Sequence, residues 1–367
     1  MKILVVGAGP AGLYFAYLAK RRHPDWQLRV LEQNAADSTF GFGVVFSERA
    51  LEFLRGDDPE TYEAITPRME QWADLAVVHR GTPVVIDGIG FSAIGRLKLL
   101  QLMQARAASV GVVPEFQKRL ADARELTGYD LVVAADGANS VARGAADFGT
   151  TITPLGNKFA WFGTTKTFPT LTQTFIQNQH GHFNAHHYRH SAEMSTFVVE
   201  CDSATWQRAG FASMDEAQTL AYAERVFAGA LAGHRLVSNK SVWRNFPNVR
   251  NARWHAGNVV LIGDALRTAH FSIGSGTRLA MEDAIALAKA LGEHALPEAL
   301  AAYEAARRPV VEKLVAAADA SGAWYDRFAE HMKLSPREFA WSYIQRSGRI
   351  DPARLRKTSP RFVDATT

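Results

Sequence analysis

The stretch KILVVGAGPAGLYFAYLAKRRHPDWQLRVLE, residues 2–32, decides the fold. Residues 2–7 form a nearly continuous apolar run, the mark of a parallel strand buried on both faces. GAGPAG follows and opens LYFAYLAKRR, apolar at helical spacing, and a second strand, LRVLE, ends at Glu32. Strand, glycine turn, helix and strand make a βαβ unit, the opening of a dinucleotide-binding fold. Gly7 permits the tight turn, Gly9 lets the backbone approach a pyrophosphate, and Gly12 lets helix and strand pack closely. Pro10 and Ala11 start the helix, whose amide donors and positive dipole end face that anion. Glu32 stands 20 residues after Gly12. A carboxylate there accepts from ribose hydroxyls and repels a 2′-phosphate, so FAD or NAD is expected rather than NADP. A merely tight βα turn is the bland alternative.

Two later strands end in an acidic residue beside a glycine. YDLVVAADGANS leads to Asp136-Gly137, and NVVLIGD to Gly263-Asp264. A lone carboxylate at the end of a buried apolar strand is costly, so each is expected to meet hydroxyl or amide donors at a cleft. Capping the following helix is the alternative for each. Between about 151 and 250 the texture changes to short aromatic and β-branched segments joined by turns, such as NKFAWFGTTKTF, HFNAHHYRH and MSTFVVEC, which predicts an antiparallel sheet. Helices are expected over 97–110, 275–293 and 297–332. The first lobe is therefore interrupted by an insertion. The expected division is a discontinuous cofactor-binding unit (1–70, 92–150, 255–335), a substrate unit (71–91, 151–254) and a basic C-terminal segment, 336–367. The cleft between the lobes is the expected ligand site.

With 47% hydrophobic and 21% charged residues, the 367-residue chain has the balance of a globular protein of two lobes. No apolar run is long enough to cross a bilayer, and the N-terminus does not read as a secretion signal. The single cysteine, Cys201, excludes an internal disulfide, which suits a reducing cytoplasm, and its strand context reads as a core thiol. The net charge of +4 is scattered, apart from the tail RSGRIDPARLRKTSPRF. Without a basic face interleaved with aromatics, nucleic acid is not expected as a partner. The tail reads as a solvated basic segment, or alternatively as a contact for an anionic substrate such as a phosphate-bearing thioester.

The order of GxGxxG, Arg96 at the head of a helix in GRLKLL, Asp136-Gly137 and Gly263-Asp264 resembles the single-component flavoprotein aromatic hydroxylases, over the whole chain. The resemblance implies an α/β fold: a Rossmann-like, para-hydroxybenzoate-hydroxylase-like FAD-binding domain with an inserted antiparallel-sheet substrate domain and C-terminal helices. It places Gly263 and Asp264 on the ribityl and pyrophosphate side of a bound FAD, Arg96 also on the FAD, and Asp136-Gly137 on FAD and on NADPH in passing. Gly274, Ser275, Gly276 and Thr277, in the run AHFSIGSGT, would lie beside the flavin ring, where amides and a helix N-terminus favour negative charge. The chain departs from the common GDAAH pattern at Leu266-Arg267, and His270-Phe271 stand where prolines are usual. AHFSIGSGT, TFGFGVVFS and the C-terminal run instead look like the aryl-CoA branch, salicyloyl-CoA 5-hydroxylase and 2-aminobenzoyl-CoA monooxygenase. GDAL and WRNF look more like the violacein-pathway hydroxylase of an indole-bearing intermediate.

By that resemblance NADPH or NADH binds transiently, reduces FAD, and O2 is captured as a flavin hydroperoxide that oxygenates an electron-rich ring. The substrate is expected to be a small aromatic molecule, first an aryl-CoA thioester such as salicyloyl-CoA, and the protein a monomer or homodimer. In HFNAHHYRH, strand alternation puts His186 and Tyr188 on one face and His187 on the other. His186, Tyr188, His270 and Ser272 are the candidate catalytic residues, a histidine base among them. A metal reading of the histidines lacks nearby Cys or acidic ligands, so no metal is expected. Trp161 and Trp243 read as core or pocket wall, Arg244 and Arg278 as cations for an anionic group or a surface pair, and Glu282 and Asp283 as part of their helix. The rival classes are an NAD-dependent dehydrogenase, a non-catalytic FAD-fold binding protein, and a flavin oxidase or reductase.

Overall fold

The computed structural model describes residues 1–47 and 50–365; strands are numbered along the chain. Strand β1 (Lys2–Val6) runs between β2 (Gln27–Leu31) and β8 (Leu131–Ala134), parallel to both. β16 (Val259–Leu261) lies parallel on the far side of β8, and the short β15 (His255–Ala256) closes that edge antiparallel. The order is thus β15-β16-β8-β1-β2. β8 and β16 are buried at every residue, as their unbroken apolar runs predict. The Pro10–Arg22 helix starts on a proline whose φ is preset for a first turn, and Lys20, Arg21 and Arg22 complement its negative C-terminal end. It packs on the Gly276–Glu293 and Arg96–Ala108 helices.

The second sheet has eight strands. β9 (Thr150–Thr164), β10 (Leu171–Asn178), β11 (Gly181–Arg189), β12 (Ser195–Cys201), β13 (Leu236–Val237) and β14 (Arg244–Asn251) come from the middle of the chain, and β5 (Leu75–His79) and β6 (Thr82–Ile86) join them. Its order is β13-β9-β12-β11-β10-β5-β6, with β14 paired to the free length of the 15-residue β9. The pairing departs from an all-antiparallel sheet at one place: β5 lies parallel to β10, because it arrives from the other lobe rather than through a hairpin. A three-stranded sheet, which sequence reading did not foresee, consists of β3 (Gly43–Ser47), β7 (Phe91–Gly95) and β4 (Glu70–Trp72) in that order.

One face of the large sheet buries Phe162, Phe183 and Phe197 against the Ser203–Arg208 and Glu216–Val226 helices. The other buries Phe175 and Tyr188 against Trp324, Tyr325, Phe339 and Tyr343. Trp324 and Tyr325 end the 31-residue Leu296–Asp326 helix, whose first turns pack on the cofactor-sheet core, so this helix ties the two cores together. The C-terminal segment is not a solvated tail. It forms the Pro336–Gln345, Pro352–Thr358 and Pro360–Asp364 helices and buries Phe339, Tyr343, Leu355 and Phe362. Arg354, Arg356 and Arg361 are exposed on the short helices, so the density of basic residues hid the buried apolar side chains beneath. Asp87 fixes the last helix: burial opposes its charge, but the amides of Arg361 and Phe362 (3.3 and 2.8 Å) hold its carboxyl below the usual range. Among the described residues no helix is long and apolar enough to cross a membrane.

Candidate active site

Every glycine and carboxylate of the three sequence signatures lies at the carboxyl edge of the parallel sheet. Glu32 follows β2, Gly7 to Gly12 follow β1, Asp136-Gly137 follow β8 and Gly263-Asp264 follow β16, on four adjacent strands. This is the edge at which open α/β sheets bind ligands. The three glycines of the first turn differ in what demands them. Gly7 has φ +100°, and a Cβ there would strike the Ala135 carbonyl; a Cβ at Gly12 would strike the Gly7 carbonyl. A Cβ at Gly9 would meet nothing within 4 Å. The protein's own packing therefore needs Gly7 and Gly12, whereas Gly9 keeps clear the space before the helix N-terminus. Among the described residues no side chain caps the Pro10–Arg22 or the Gly276–Glu293 helix, and neither first turn is acidic. Both leave amide donors for an anionic or electron-rich group.

Glu32 is held in place: its carboxylate accepts from the amides of Ala8 (2.9 Å) and Asn34 (2.8 Å) and from the Asn34 side chain (2.7 Å). Asp136 accepts from the Ser140 hydroxyl and from the amides of Val141 (2.8 Å) and Ala142 (3.0 Å), so its own loop satisfies it as a cap. Asp264 is different. Protein surrounds it, yet more than a third of its surface is open, so it lines a deep cleft. Burial pushes its carboxyl up, while Arg267 and Arg96 draw it back down. Arg96 starts its helix beside it, with Nε donating to the Thr39 hydroxyl at 3.1 Å; burial lowers its guanidinium and Asp264 opposes that. Cleared backbone, uncapped helix ends, and the Asp264 carboxylate within the field of the Arg96 guanidinium fit the pyrophosphate, ribose and ribityl groups of FAD.

Several supporting residues have no motif of their own. Asp283, read from sequence as part of its helix, is fully buried and ion-paired with Arg267 (2.7 Å) and Arg307 (3.3 Å), and it accepts from the Gly263 amide (3.1 Å). Arg267 also donates to the Gly263 carbonyl (2.8 Å), so the unusual Leu266-Arg267 pair braces the Gly263-Asp264 turn from beneath. Arg143 donates to the carbonyls of Ala265 (2.9 Å) and Ala138 (2.8 Å), clamping the β8 turn to the β16 turn. An arginine three residues after a GD pair, with an aspartate 20 residues beyond the glycine, was the available signal for the first of these.

The 270–277 loop faces the large sheet. Gly274 has φ +60° and approaches the Val45 carbonyl so closely that a Cβ would lie 3.1 Å from it. A Cβ at Gly276 would meet open space at the helix start. Ser275 turns its hydroxyl toward the Ile273 carbonyl (3.3 Å) rather than capping the helix, and Thr277 lies in the first helical turn. Phe271 packs, tilted or edge-on, among Phe159 (5.0 Å between centroids), His186 (5.3 Å), Phe246 (5.8 Å) and His270 (4.2 Å). Ser272 bonds His270 Nδ1 at 2.8 Å and the Ser321 hydroxyl at 2.7 Å. Its amide also points at Nδ1 (3.4 Å), which makes Nδ1 the acceptor and leaves the proton on Nε2.

The four candidate catalytic residues are thus brought together, but not as a titrating set. Burial, aided by Arg346, lowers His186 to about 3; burial, with His186 and Arg346, lowers His270 to about 3. Both rings are neutral near pH 7, the form that can accept a proton, but as weak bases rather than groups poised to titrate near neutral pH. Tyr188 does share a face with His186 (6.3 Å, stacked), but burial raises its hydroxyl, which donates to the Gly43 carbonyl at 2.9 Å. It ties β11 to β3. His187 lies on the opposite face, between Phe168 and Phe197. A cavity of about 430 Å³ joins His186, Gln173 and Phe271 to the C-terminal segment. A second depression, of about 410 Å³, is lined by residues of 51–92 and touches none of the candidates.

Of the remaining residues, Cys201 is a buried thiol, Trp243 packs on Phe211, and Trp161 backs Gly41. Arg244 lies 4.0 Å over the Phe40 ring, and Arg278 pairs with Glu282 at 2.8 Å. Among the described residues no three His, Cys, Asp or Glu side chains are grouped to hold a metal.

The geometry defines a flavin-dependent enzyme with an aromatic-walled cleft, and comparison with known proteins agrees. The chain belongs to the FAD binding domain family, which matches residues 100–318. It is 43% identical over 378 aligned residues to salicyloyl-CoA 5-hydroxylase of a Streptomyces species, covering 99% of this chain and 73% of that protein. It is 39% identical over 333 residues to the 3-hydroxy-4-methyl-anthranilyl-[aryl-carrier protein] 5-monooxygenase of Streptosporangium sibiricum, covering 90% of each. It is 36% identical over 365 residues to protodeoxyviolaceinate monooxygenase of Chromobacterium violaceum, covering 96% of each. Among solved structures, a 2-methyl-3-hydroxypyridine-5-carboxylic acid oxygenase superposes with a TM-score of 0.71 at 18% identity, over 96% of this chain and 98% of that one, which shows the shared fold. The protein is an FAD-dependent aromatic monooxygenase.

Proposed function

We propose that this enzyme hydroxylates an electron-rich aromatic ring presented as an aryl thioester of the salicyloyl-CoA type, using NADPH or NADH and O2. The overall change is ArH + NAD(P)H + H⁺ + O2 → ArOH + NAD(P)⁺ + H2O. When bound, FAD supplies the two-electron chemistry between the nicotinamide and O2. The supporting observation is the cavity that runs from the Phe271–Gly274 loop and His186 to the C-terminal arginines, with an aromatic inner end and a basic outer end. The full-length likeness to an enzyme named for a CoA thioester supports the same reading.

In this reading Gly9, Ala11 and Gly12 give backbone to the pyrophosphate and Glu32 accepts from the ribose hydroxyls. Arg96 and Asp264 hold the ribityl and phosphate side. The amides of Gly274 to Thr277, at an uncapped helix start, favour negative charge beside the isoalloxazine. Phe159, Phe246 and Phe271 exclude water from the ring site. Neutral His186 and His270 orient the substrate's hydroxyl or amino group by hydrogen bonds rather than taking its proton. An indole-bearing substrate is the second reading, favoured by the match along 96% of both chains to protodeoxyviolaceinate monooxygenase.

The test is NADPH oxidation by the FAD-loaded protein with salicyloyl-CoA, 2-aminobenzoyl-CoA, free salicylate and an indole substrate side by side. The thioester reading expects stimulation by a thioester well above the free acid. Stimulation by the indole alone replaces it with the second reading.

A further inference from the structure

The cavity behind Phe271 has an inner end at His186 and Gln173, apolar walls such as Leu171, Ile89 and Ile350, and an exposed rim that includes Arg349 and Arg354. Among its described lining residues are three arginines and no carboxylate. The three are not equivalent. Arg346 is engaged inside the protein: it donates to the carbonyls of Tyr343 and Ser272, each at 2.8 Å, and lies 3.9 Å from the Tyr343 ring centroid. Among the described residues neither Arg349 nor Arg354 has an ion-pair partner. Burial lowers the Arg349 guanidinium, and the charges that bear on it, Arg278 and Arg354, are both positive and lower it further. The Arg354 guanidinium reaches only the main-chain oxygen of Arg349, at 3.5 Å. Asp351, the nearest carboxylate in sequence, is occupied by the Arg354 amide at 2.7 Å as the cap of the Pro352–Thr358 helix. Mutually repelling guanidinium groups at the mouth of an active-site cavity are stabilised when an anion lies between them.

We propose that Arg349 and Arg354 form an anion subsite that binds the phosphate groups of a phosphopantetheine thioester and so anchors the carrier while the aryl ring lies against Phe271 and His186. Guanidinium forks suit phosphate oxygens, and the apolar walls between rim and ring suit the uncharged pantetheine arm. The inference rests on the thioester reading above. It adds what distinguishes the handle: coenzyme A and a loaded aryl-carrier protein share this arm, whereas a free acid or an indole has none. Two relatives are named for one or the other of these carriers.

The test compares three salicyloyl thioesters with the FAD-loaded, full-length enzyme: the CoA thioester, the phosphopantetheine-bound aryl-carrier-protein thioester, and the N-acetylcysteamine thioester, which has no phosphate. In R349A/R354A the ratio of kcat/KM for the carried thioester over the N-acetylcysteamine thioester is expected to fall at least about tenfold, through KM, with a parallel rise in the Kd of coenzyme A by titration calorimetry. Both arginines are exposed, and the single variants R349A and R354A should each show a smaller fall in the same direction. A fall for the CoA thioester alone, or for the carrier-protein thioester alone, names the carrier. Ratios within about twofold of the parent for both carriers overturn the subsite while leaving the thioester reading intact. If the parent hydroxylates an indole or free acid but no thioester, the thioester reading fails first and the subsite with it.

Discussion

At the scale of single residues, glycines in one motif separate folding from ligand binding. Gly12→Ala places a methyl into the Gly7 carbonyl and is expected to destabilise the protein by roughly 1–3 kcal/mol or more, or to leave it insoluble. Gly9→Ala adds a methyl to open space at φ −75° and should fold with a near-parental melting temperature. Its FAD affinity should nevertheless drop about tenfold, as read by flavin fluorescence during dilution. Equal effects on folding from the two variants would contradict this division. Glu200 offers a pH test. Burial raises its carboxyl to about 8, Asn157 donates to one oxygen at 2.8 Å, and only 1% of the residue is exposed. A group raised on folding stabilises fully below its unfolded value, about 4.5, and loses that contribution as pH rises toward 8. Glu200→Gln cannot ionise, so its stability relative to the parent should increase from pH 5 to pH 8 in denaturant melts. A constant difference would show that the carboxyl is already ionised at pH 5. The neutral histidines predict that kcat shows no inflection near 6.5 that His186→Gln removes.

Among elements, the loops are held by pieces far away in sequence. Asp283 and Arg267 are 0% and 5% exposed, and removing Arg267 takes away the closer of the two guanidinium groups that pair with Asp283, leaving Arg307 at 3.3 Å. Arg267→Ala should therefore cost roughly 3–5 kcal/mol and release FAD, whereas Arg124→Ala, at an exposed pair, should leave the melting temperature unchanged. Equal melting temperatures for the two would contradict the brace. The same contrast explains what the sequence disclosed. β1, its glycine turn and Glu32 were legible because one local period and one motif specify them. The Asp136 and Asp264 turns were legible as breaks in apolar strands, although Asp136 proves to be capped by its own loop. Asp283 was not, because its partners arrive from 16 and 24 residues away and nothing in its helix marks it as buried. Tyr188 was placed on the correct face by alternation, but its partner Gly43 is 145 residues distant. The tail 346–362 was misread because its charge was weighed before its few apolar residues, of which Leu355 and Phe362 prove buried.

For the whole molecule, one arrangement matters: a parallel sheet with the glycine turns at its carboxyl edge and a large, mostly antiparallel sheet, joined by a 31-residue helix and sealed by the C-terminal helices. The seal covers the aromatic cluster around Phe175, so the last helices serve as both core and cavity wall. Whether this architecture places oxygen on an aromatic ring is read by isotope. The FAD-loaded enzyme turns over salicyloyl-CoA with NADPH under ¹⁸O2, and the product is weighed by mass spectrometry after thioester cleavage. A ring hydroxylase incorporates one ¹⁸O atom into the aromatic acid, with NADPH consumed in proportion. NADPH consumption that yields hydrogen peroxide and an unlabelled ring, with every aromatic substrate offered, would make the protein an oxidase and contradict ring hydroxylation.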